Sequence, residues 1–559
     1  MAEHDLVIRG GTVVDGTGAP RRQADVAVTD GRITEVGTVE GTGRRELDAD
    51  GLVVAPGWVD IHTHYDGQAT WDPTISPSPW HGVTTVVMGN CGVGFAPVRP
   101  DRHGWLVALM EGVEDIPGTA LHEGITWEWE TFPEYLDALG ATPKAIDVAA
   151  QVPHGALRGY VMGDRGADHT AVPTADEIAR MARLAAEGVE AGALGFTTSR
   201  TVAHKSIDGR MTPSLTAGAD ELLGIARAVG ATGKGVFAAV ADLDDLEGEF
   251  ALLRSMAETA RRPLSITTLQ RPGQPVDAYR RLLDLVDAAN ADGIEMRSQV
   301  AARPVGLLLS LQGTVHPLLM STTYQQLRGL PLDQLVAELR RPEVKARVLD
   351  ELSAPGANLL ERMTPAFALG TPPRYVQGAD EAIDLARAYD VLLDDGGTGI
   401  VYVPVMNYVE GDMRAVREML VHPRSVPGLG DAGAHCTMIC DASFCTYLLQ
   451  YWTREAPEDQ RLDVEWVVHQ QAAATAATVG LHDRGVLAPG FRADLNLIDL
   501  DRVGITTTEM LHDLPAGGKR LVQRADGYRA TIVAGEVIRA DGEDTGALPG
   551  RLVRGARTA

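Results

Sequence analysis

The chain has 559 residues, with 76 acidic against 50 basic side chains and a formal charge of −26. At 45% hydrophobic and 23% charged it has a globular composition, which excludes a disordered or fibrous chain. The acidic excess repels phosphate backbones and anionic lipid, so neither nucleic acid nor a membrane surface is an expected partner.

No run of about 18 uncharged apolar residues is present, so no membrane span is expected. The opening residues lack the basic and apolar regions of a signal peptide. Four cysteines, three of them clustered at Cys436, Cys440 and Cys445, do not form the pattern of a secreted disulfide framework. A cytoplasmic protein is expected.

In chain order, residues 1–56 read as short strands. Leu6-Val7-Ile8, Thr12-Val13-Val14 and Asp25-Val26-Ala27-Val28 are β-branched runs, and Asp30-Gly31 has the form of a two-residue hairpin turn. Residues 485–559 have the same texture, with strands at 494–498 and 530–533 and a turn at Ala534-Gly535. The two ends are expected to pair into one small β-sandwich; two independent β appendages are the alternative. Residues 57–484 differ. Short apolar runs at 84–88, 145–150, 193–197, 235–240, 264–268, 294–300 and 399–405 alternate with amphipathic stretches such as 175–191 and 219–228. About eight such alternations mark an α/β chain with a parallel sheet, and the count favours a (β/α)8 TIM-like barrel. Residues 310–375 break the rhythm with a Pro- and Leu-rich, mostly helical stretch. It is expected to be an insertion over one barrel loop, and an exposed insertion there would suit a homo-oligomer interface.

The sharpest motif is an apolar strand that precedes these runs and ends in His-x-His: Pro56-Gly57-Trp58-Val59-Asp60-Ile61-His62-Thr63-His64. Alternate side chains of a strand share a face, so His62 and His64 project the same way at a strand end, where two neutral imidazoles suit a divalent metal. Two core histidines are the alternative. Cys91, in Gly89-Asn90-Cys91-Gly92, is either a thiolate ligand or a small buried apolar residue. Asp431, in Gly430-Asp431-Ala432-Gly433, is either a metal ligand and general base or the cap of a helix. Arg200, His204, Lys205, Arg297, Arg303 and His154 lie at or just beyond strand segments. Each is a candidate for binding a substrate, the arginines through bidentate contact with a carboxylate, and each has a structural ion pair as its alternative.

Together these segments resemble the amidohydrolase superfamily and, within it, the D-aminoacylase (N-acyl-D-amino-acid deacylase) group. The resemblance also rests on the opening 6–18 segment, on His154-Gly155-Ala156-Leu157-Arg158 and on the stretch from Gly485 to Leu495. It implies a metal-dependent barrel with a β-sandwich built from both termini, one or two Zn2+ ions, and hydrolysis of an amide C–N bond by activated water with a strand-end Asp as general base and acid. On that pattern His62, His64 and Cys91 match ligands and Asp431 matches the catalytic Asp. The resemblance also implies two further histidines, on the strands at 235–240 and 264–270. Here those strands contain none, and Gln270 stands where a lysine is usual. The missing histidines keep open a divergent barrel that binds a small acidic ligand without hydrolysing it. They also leave room for hydrolysis of a cyclic amide, and for a lyase or isomerase reaction in the same pocket.

Overall fold

The computed structural model describes residues 3–363 and 365–555. The two ends of the chain meet in one nine-stranded sheet. Val53–Pro56 pairs antiparallel with Leu495–Ile498, which sets Val54 opposite Leu497. From that junction the sheet runs through His4–Val13, Arg22–Thr29 and Arg32–Gly37 on one side, and through Tyr528–Val533, Glu536–Ala540 and Glu543–Asp544 on the other. Leu6, Ile8, Val26, Val28, Val54, Leu495, Leu497 and Ile532 bury one apolar layer from both ends. Both expected turns form. Asp30 and Gly31 (φ 51° and 71°) and Ala534 and Gly535 (φ 48° and 80°) are left-handed in succession, the condition for a type I′ hairpin turn.

The middle of the chain is α/β. Trp58–Asp60, Val83–Met88 and Asp147–Ala150 form a three-stranded parallel sheet. Val152–Pro153, Gly195–Arg200, Val236–Ala241, Leu264–Thr267, Met296–Val300 and Ser425–Pro427 form a six-stranded one, also parallel. Only Gln151 separates Asp147–Ala150 from Val152–Pro153, so the two sheets succeed one another through a single chain segment. Thr63 pairs with Ala432, linking the residues just beyond Trp58–Asp60 and Ser425–Pro427. Helices fill the connections. Ala175–Ala191 starts at a Thr174/Glu177 capping box and buries Met181, Ala185 and Val189 at four-residue spacing, the stripe that a helix lays on a sheet.

One strand expectation is corrected. The apolar run at 399–405 is not a member of the parallel set: Val401–Met406 pairs antiparallel with Val305–Leu309 and Phe367–Ala368 in a separate three-stranded sheet. That sheet and the helices Thr322–Leu327, Leu332–Leu339, Pro342–Leu352 and Leu385–Leu393 share an apolar cluster containing Leu309, Leu339, Val348, Leu352, Tyr389 and Leu392. The inserted unit is therefore longer than 310–375, and it falls between Met296–Val300 and Ser425–Pro427.

Gly504–Leu514 and Gly518–Asp526 make a further antiparallel hairpin outside the nine-stranded sheet. It lies against the loop after Ser425–Pro427: the Leu521 N–H donates to the Cys436 carbonyl at 2.5 Å. All four cysteines are free thiols. Among the described residues no helix is long and apolar enough to cross a membrane.

Candidate metal centre

The chain leaving Trp58–Asp60 stays extended, and its neighbours fix which way each side chain points. The Thr63 N–H and hydroxyl both donate to the Val87 carbonyl, at 3.1 and 2.9 Å, while the His64 N–H donates to the Ala432 carbonyl at 2.7 Å. His62 and His64 therefore share the opposite face, and both are buried.

Cys91 reaches the same place from Val83–Met88. Gly89 turns the chain at φ 81°, and a Cβ there would stand 2.3 Å from the Gln151 carbonyl oxygen, so no side chain fits. The Asn90 amide donates to the Thr63 and Val87 carbonyls at 3.2 and 2.9 Å, fastening the cysteine turn to the histidine segment. Asp431 follows Ser425–Pro427 in a loop where Leu429, Asp431 and His435 all have positive φ (61°, 41° and 47°), as does Cys91 (53°). Such conformations cost about 1–3 kcal/mol each in non-glycine residues and collect where surrounding structure and function demand them.

The four side chains converge. His62 Nε2 lies 3.3 Å from Cys91 Sγ and 3.2 Å from Asp431 Oδ1. His64 Nε2 lies 3.5 Å from the same aspartate oxygen. The ligand atoms of His62, His64 and Cys91 fall within 4.8 Å of one another. Two imidazoles and a thiol are a three-donor zinc set that leaves a position open, with a carboxylate beside it. The His62 Nδ1 side is closed by Gln299, whose Oε1 stands 2.9 Å away and whose amide nitrogen donates to Ser265 Oγ at 2.8 Å.

Burial dominates the electrostatics of these side chains. Burial pushes the carboxyls of Asp60 and Asp66 up to about 7. Burial, with the charges of Asp431 and Asp66, raises Glu114 well above the usual range. Burial opposes ionisation of Asp431 too, but the imidazoles of His62, His64 and His435 outweigh it and hold that carboxyl below its ordinary value. Burial lowers His64 to about 4, which leaves its ring neutral and able to coordinate. Burial and the nearby carboxylates raise the Cys91 thiol, so a metal binding there must displace a proton.

The remaining sequence candidates divide. His204 comes to this region: Ser199 Oγ is 2.9 Å from its Nδ1, and burial together with the rings of His435 and His64 pushes it down to about 3. Lys205 is exposed on the same loop. Arg200 is held by Glu249 and donates to the Ala217 carbonyl at 2.7 Å. Arg297 pairs with Glu295 near the start of its strand, two residues before Gln299. Arg303 is buried, donates to Asp441 Oδ1 at 2.7 Å and stacks 3.6 Å above the Tyr375 ring. His154 lies between Thr198 and Glu221, at 2.9 Å from each. Among the described residues no hydrogen bond or ion pair joins these last four to His62, His64, Cys91 or Asp431. Gln270 fastens the segment beyond Val401–Met406, its backbone N–H donating to Asn407 Oδ1 at 2.8 Å and its Oε1 accepting from the Val409 N–H at 3.2 Å.

Two contributors, Glu114 and Gln299, escape sequence reasoning. Glu114 ends the helix His103–Glu114, where an acidic residue reads as a solvated face. His435, four residues after Asp431, is readable from the sequence as a group that could join it, and its Nε2 lies 3.7 Å from a Glu114 carboxylate oxygen. Gln299 was within reach, because it shares a strand face with Arg297 and lies nearer the strand's C-terminal end.

A sequence model of the Amidohydrolase family matches residues 45–539. A D-aminoacylase of Alcaligenes xylosoxydans xylosoxydans is 29% identical over 568 residues, covering 99% of this chain and 98% of its own. An N-acyl-D-aspartate deacylase of the same organism is 28% identical over 564 residues, covering 99% and 95%. Among solved structures, a D-aminoacylase superposes with a TM-score of 0.68 at 24% identity, over 99% of this chain and 100% of that one. The N-acyl-D-glutamate deacylase of Bordetella bronchiseptica, solved with zinc and a phosphonate inhibitor, does so at 0.65 and 25% identity, over 99% of each chain.

Proposed function

The chain belongs to the amidohydrolase family, and from that premise we propose that it hydrolyses the amide C–N bond of a small N-acyl amino acid, with one divalent metal held by His62, His64 and Cys91 beside Asp431. The observation that carries this reading is the convergence of His62 Nε2, Cys91 Sγ and Asp431 Oδ1 within 3.3 Å of the histidine nitrogen. Zinc suits this donor set, and three donors from two adjacent strand ends make the histidines absent from Val236–Ala241 and Leu264–Thr267 unnecessary for one ion. The relatives named D-aminoacylase and N-acyl-D-aspartate deacylase favour the D-configured class.

A divalent ion bound there supplies Lewis acidity toward the amide carbonyl and toward water. The protein supplies the rest. Asp431, kept ionised by the surrounding imidazoles, accepts a proton from the attacking water at a carboxylate oxygen and returns it to the departing nitrogen. His62 is fixed for its task by Gln299. Lys205 supplies a positive charge for the substrate carboxylate, with neutral His204 beside it as a hydrogen-bonding group.

In this reading the eight successive parallel segments close as a (β/α)8 barrel, Thr63 and Ala432 joining the first to the last. The sheet from both ends is the β-sandwich, with the domains at 1–56, 57–484 and 485–559. The free cysteines suit a cytoplasmic enzyme. The test is to purify the protein without chelator, assay metal content, and follow amino-acid release from N-acetyl-D- and N-acetyl-L-amino acids. Near-stoichiometric zinc with release from the D series supports the reading; a metal-free protein inert toward both series overturns it.

A further inference from the structure

Glu114 is placed where every local rule opposes a carboxylate. It is 1% exposed. It ends the helix His103–Glu114, and a helix C-terminus disfavours negative charge. The acids Asp431 and Asp66 are near enough to repel it. Its position is nevertheless firmly built. The His435 N–H donates to the Glu114 carbonyl, the Cys436 N–H donates to the Asp115 carbonyl at 3.3 Å, and the Asp115 carboxylate accepts from the Thr437 hydroxyl at 3.0 Å. The helix end is thereby locked to the loop that carries Asp431.

Two buried atoms then face each other. Glu114 Oε1 lies 3.4 Å from His64 Nδ1, and among the described residues neither atom has a conventional hydrogen-bond partner. The other carboxylate oxygen lies 3.7 Å from His435 Nε2. The arrangement repeats what is found behind His62. There Nε2 turns to Cys91 and Asp431 while Nδ1 meets Gln299; in His64, Nε2 turns to Asp431 while Nδ1 meets Glu114. Each histidine thus presents Nε2 inward and has an oxygen acceptor behind Nδ1.

We propose that Glu114 is the positioning carboxylate of His64: it holds the proton on Nδ1, so that Nε2 carries the lone pair toward the ion, and it strengthens that nitrogen as a ligand. The inference rests on the metal-centre reading above. A carboxylate behind a coordinating imidazole fixes its tautomer and orientation and raises its basicity, and loss of such a partner costs about 10–100-fold in metal affinity. In a set of three donors, this support falls on one of them.

The test is zinc affinity, measured by competition with a chromophoric chelator, for the wild type and for Glu114→Gln, Glu114→Ala and His62→Ala. Thermal unfolding of each metal-free form is recorded alongside. The expectation is tight binding by the wild type, abolished in His62→Ala, weakened about 10–100-fold in Glu114→Ala, and weakened less in Glu114→Gln, which keeps an oxygen acceptor but loses the charge, with metal-free unfolding unchanged. Glu114 variants that bind zinc as tightly as the wild type overturn the proposal. A wild type that binds no zinc overturns the metal-centre reading itself, and the proposal falls with it. Gln299→Ala reads the same device behind His62 without touching the helix. A loss of zinc affinity there supports paired positioning, and unchanged affinity overturns it, whether or not the Glu114 variants fold.

Discussion

His62 Nε2 stands 3.3 Å from Cys91 Sγ, each side chain delivered by the end of a different one of two paired parallel strands. Neither residue is near the other in sequence, and the Asn90 amide, bonded to the Thr63 carbonyl, sets the distance between their turns. Removing either donor should therefore empty the site without dismantling the fold. His62→Ala and Cys91→Ser are each expected to lower zinc affinity beyond the roughly 100-fold upper range for loss of an outer partner, while the far-ultraviolet spectrum is unchanged. Retained stoichiometric zinc in both variants would contradict the assignment.

Asp431 is expected to separate binding from turnover. Asp431→Asn keeps the shape of the side chain and removes the proton acceptor. The variant should retain zinc while kcat for amide hydrolysis falls about 10²–10⁴-fold, the usual contribution of a positioned general base. Metal analysis and steady-state kinetics on one preparation check both halves. A variant that unfolds would show that Asp431 holds the 429–435 loop together instead.

Arg303 should reveal itself in stability. It and Asp441 are 1% and 3% exposed at the side chain and 2.7 Å apart, and the guanidinium also donates to Ser443 Oγ at 3.1 Å. Removing one member of a buried pair leaves an uncompensated charge, so Arg303→Met is expected to cost about 3–5 kcal/mol. Denaturant unfolding measures this, and KM of the folded fraction should stay as in the wild type. A raised KM with no change in stability would place Arg303 on the substrate.

His81 predicts part of the acid sensitivity. It is buried between Thr446 Oγ1 at 2.8 Å and the Gln523 carbonyl at 3.0 Å, and burial lowers it from 6.5 to about 3. Because the folded value is depressed, the unfolded chain takes up the proton first as pH falls. Stability is therefore unaffected above about 6.5 and declines between 6.5 and about 3, by up to about 1.4 kcal/mol per pH unit. His81→Gln should flatten that decline in unfolding measured at a series of pH values. An identical acid profile would rule the contribution out.

What could be read in advance followed from local rules. The period-two alternation that puts His62 and His64 on one face is a property of any extended chain, and Asp30-Gly31 specifies its turn through the backbone conformations it tolerates. What escaped depended on partners. An apolar run such as 401–406 records that a strand is buried but not what it pairs with, so its place in an antiparallel sheet was hidden. The roles of Arg200, Arg303 and His154 turned on whether Glu249, Asp441 and Glu221 would meet them, and those carboxylates lie 49, 138 and 67 positions away. Glu114 was hidden for a related reason: helix periodicity does not say that a helix end is buried against a loop over 300 residues downstream.

The most direct test of the metal centre is crystallography of the zinc-loaded protein with anomalous data collected at the zinc absorption edge. The expected result is one strong anomalous peak bounded by His62 Nε2, His64 Nε2 and Cys91 Sγ, at about 2.0–2.1 Å from the nitrogens and about 2.3 Å from the sulfur. A peak elsewhere in the molecule, or none in zinc-soaked crystals, would contradict the account.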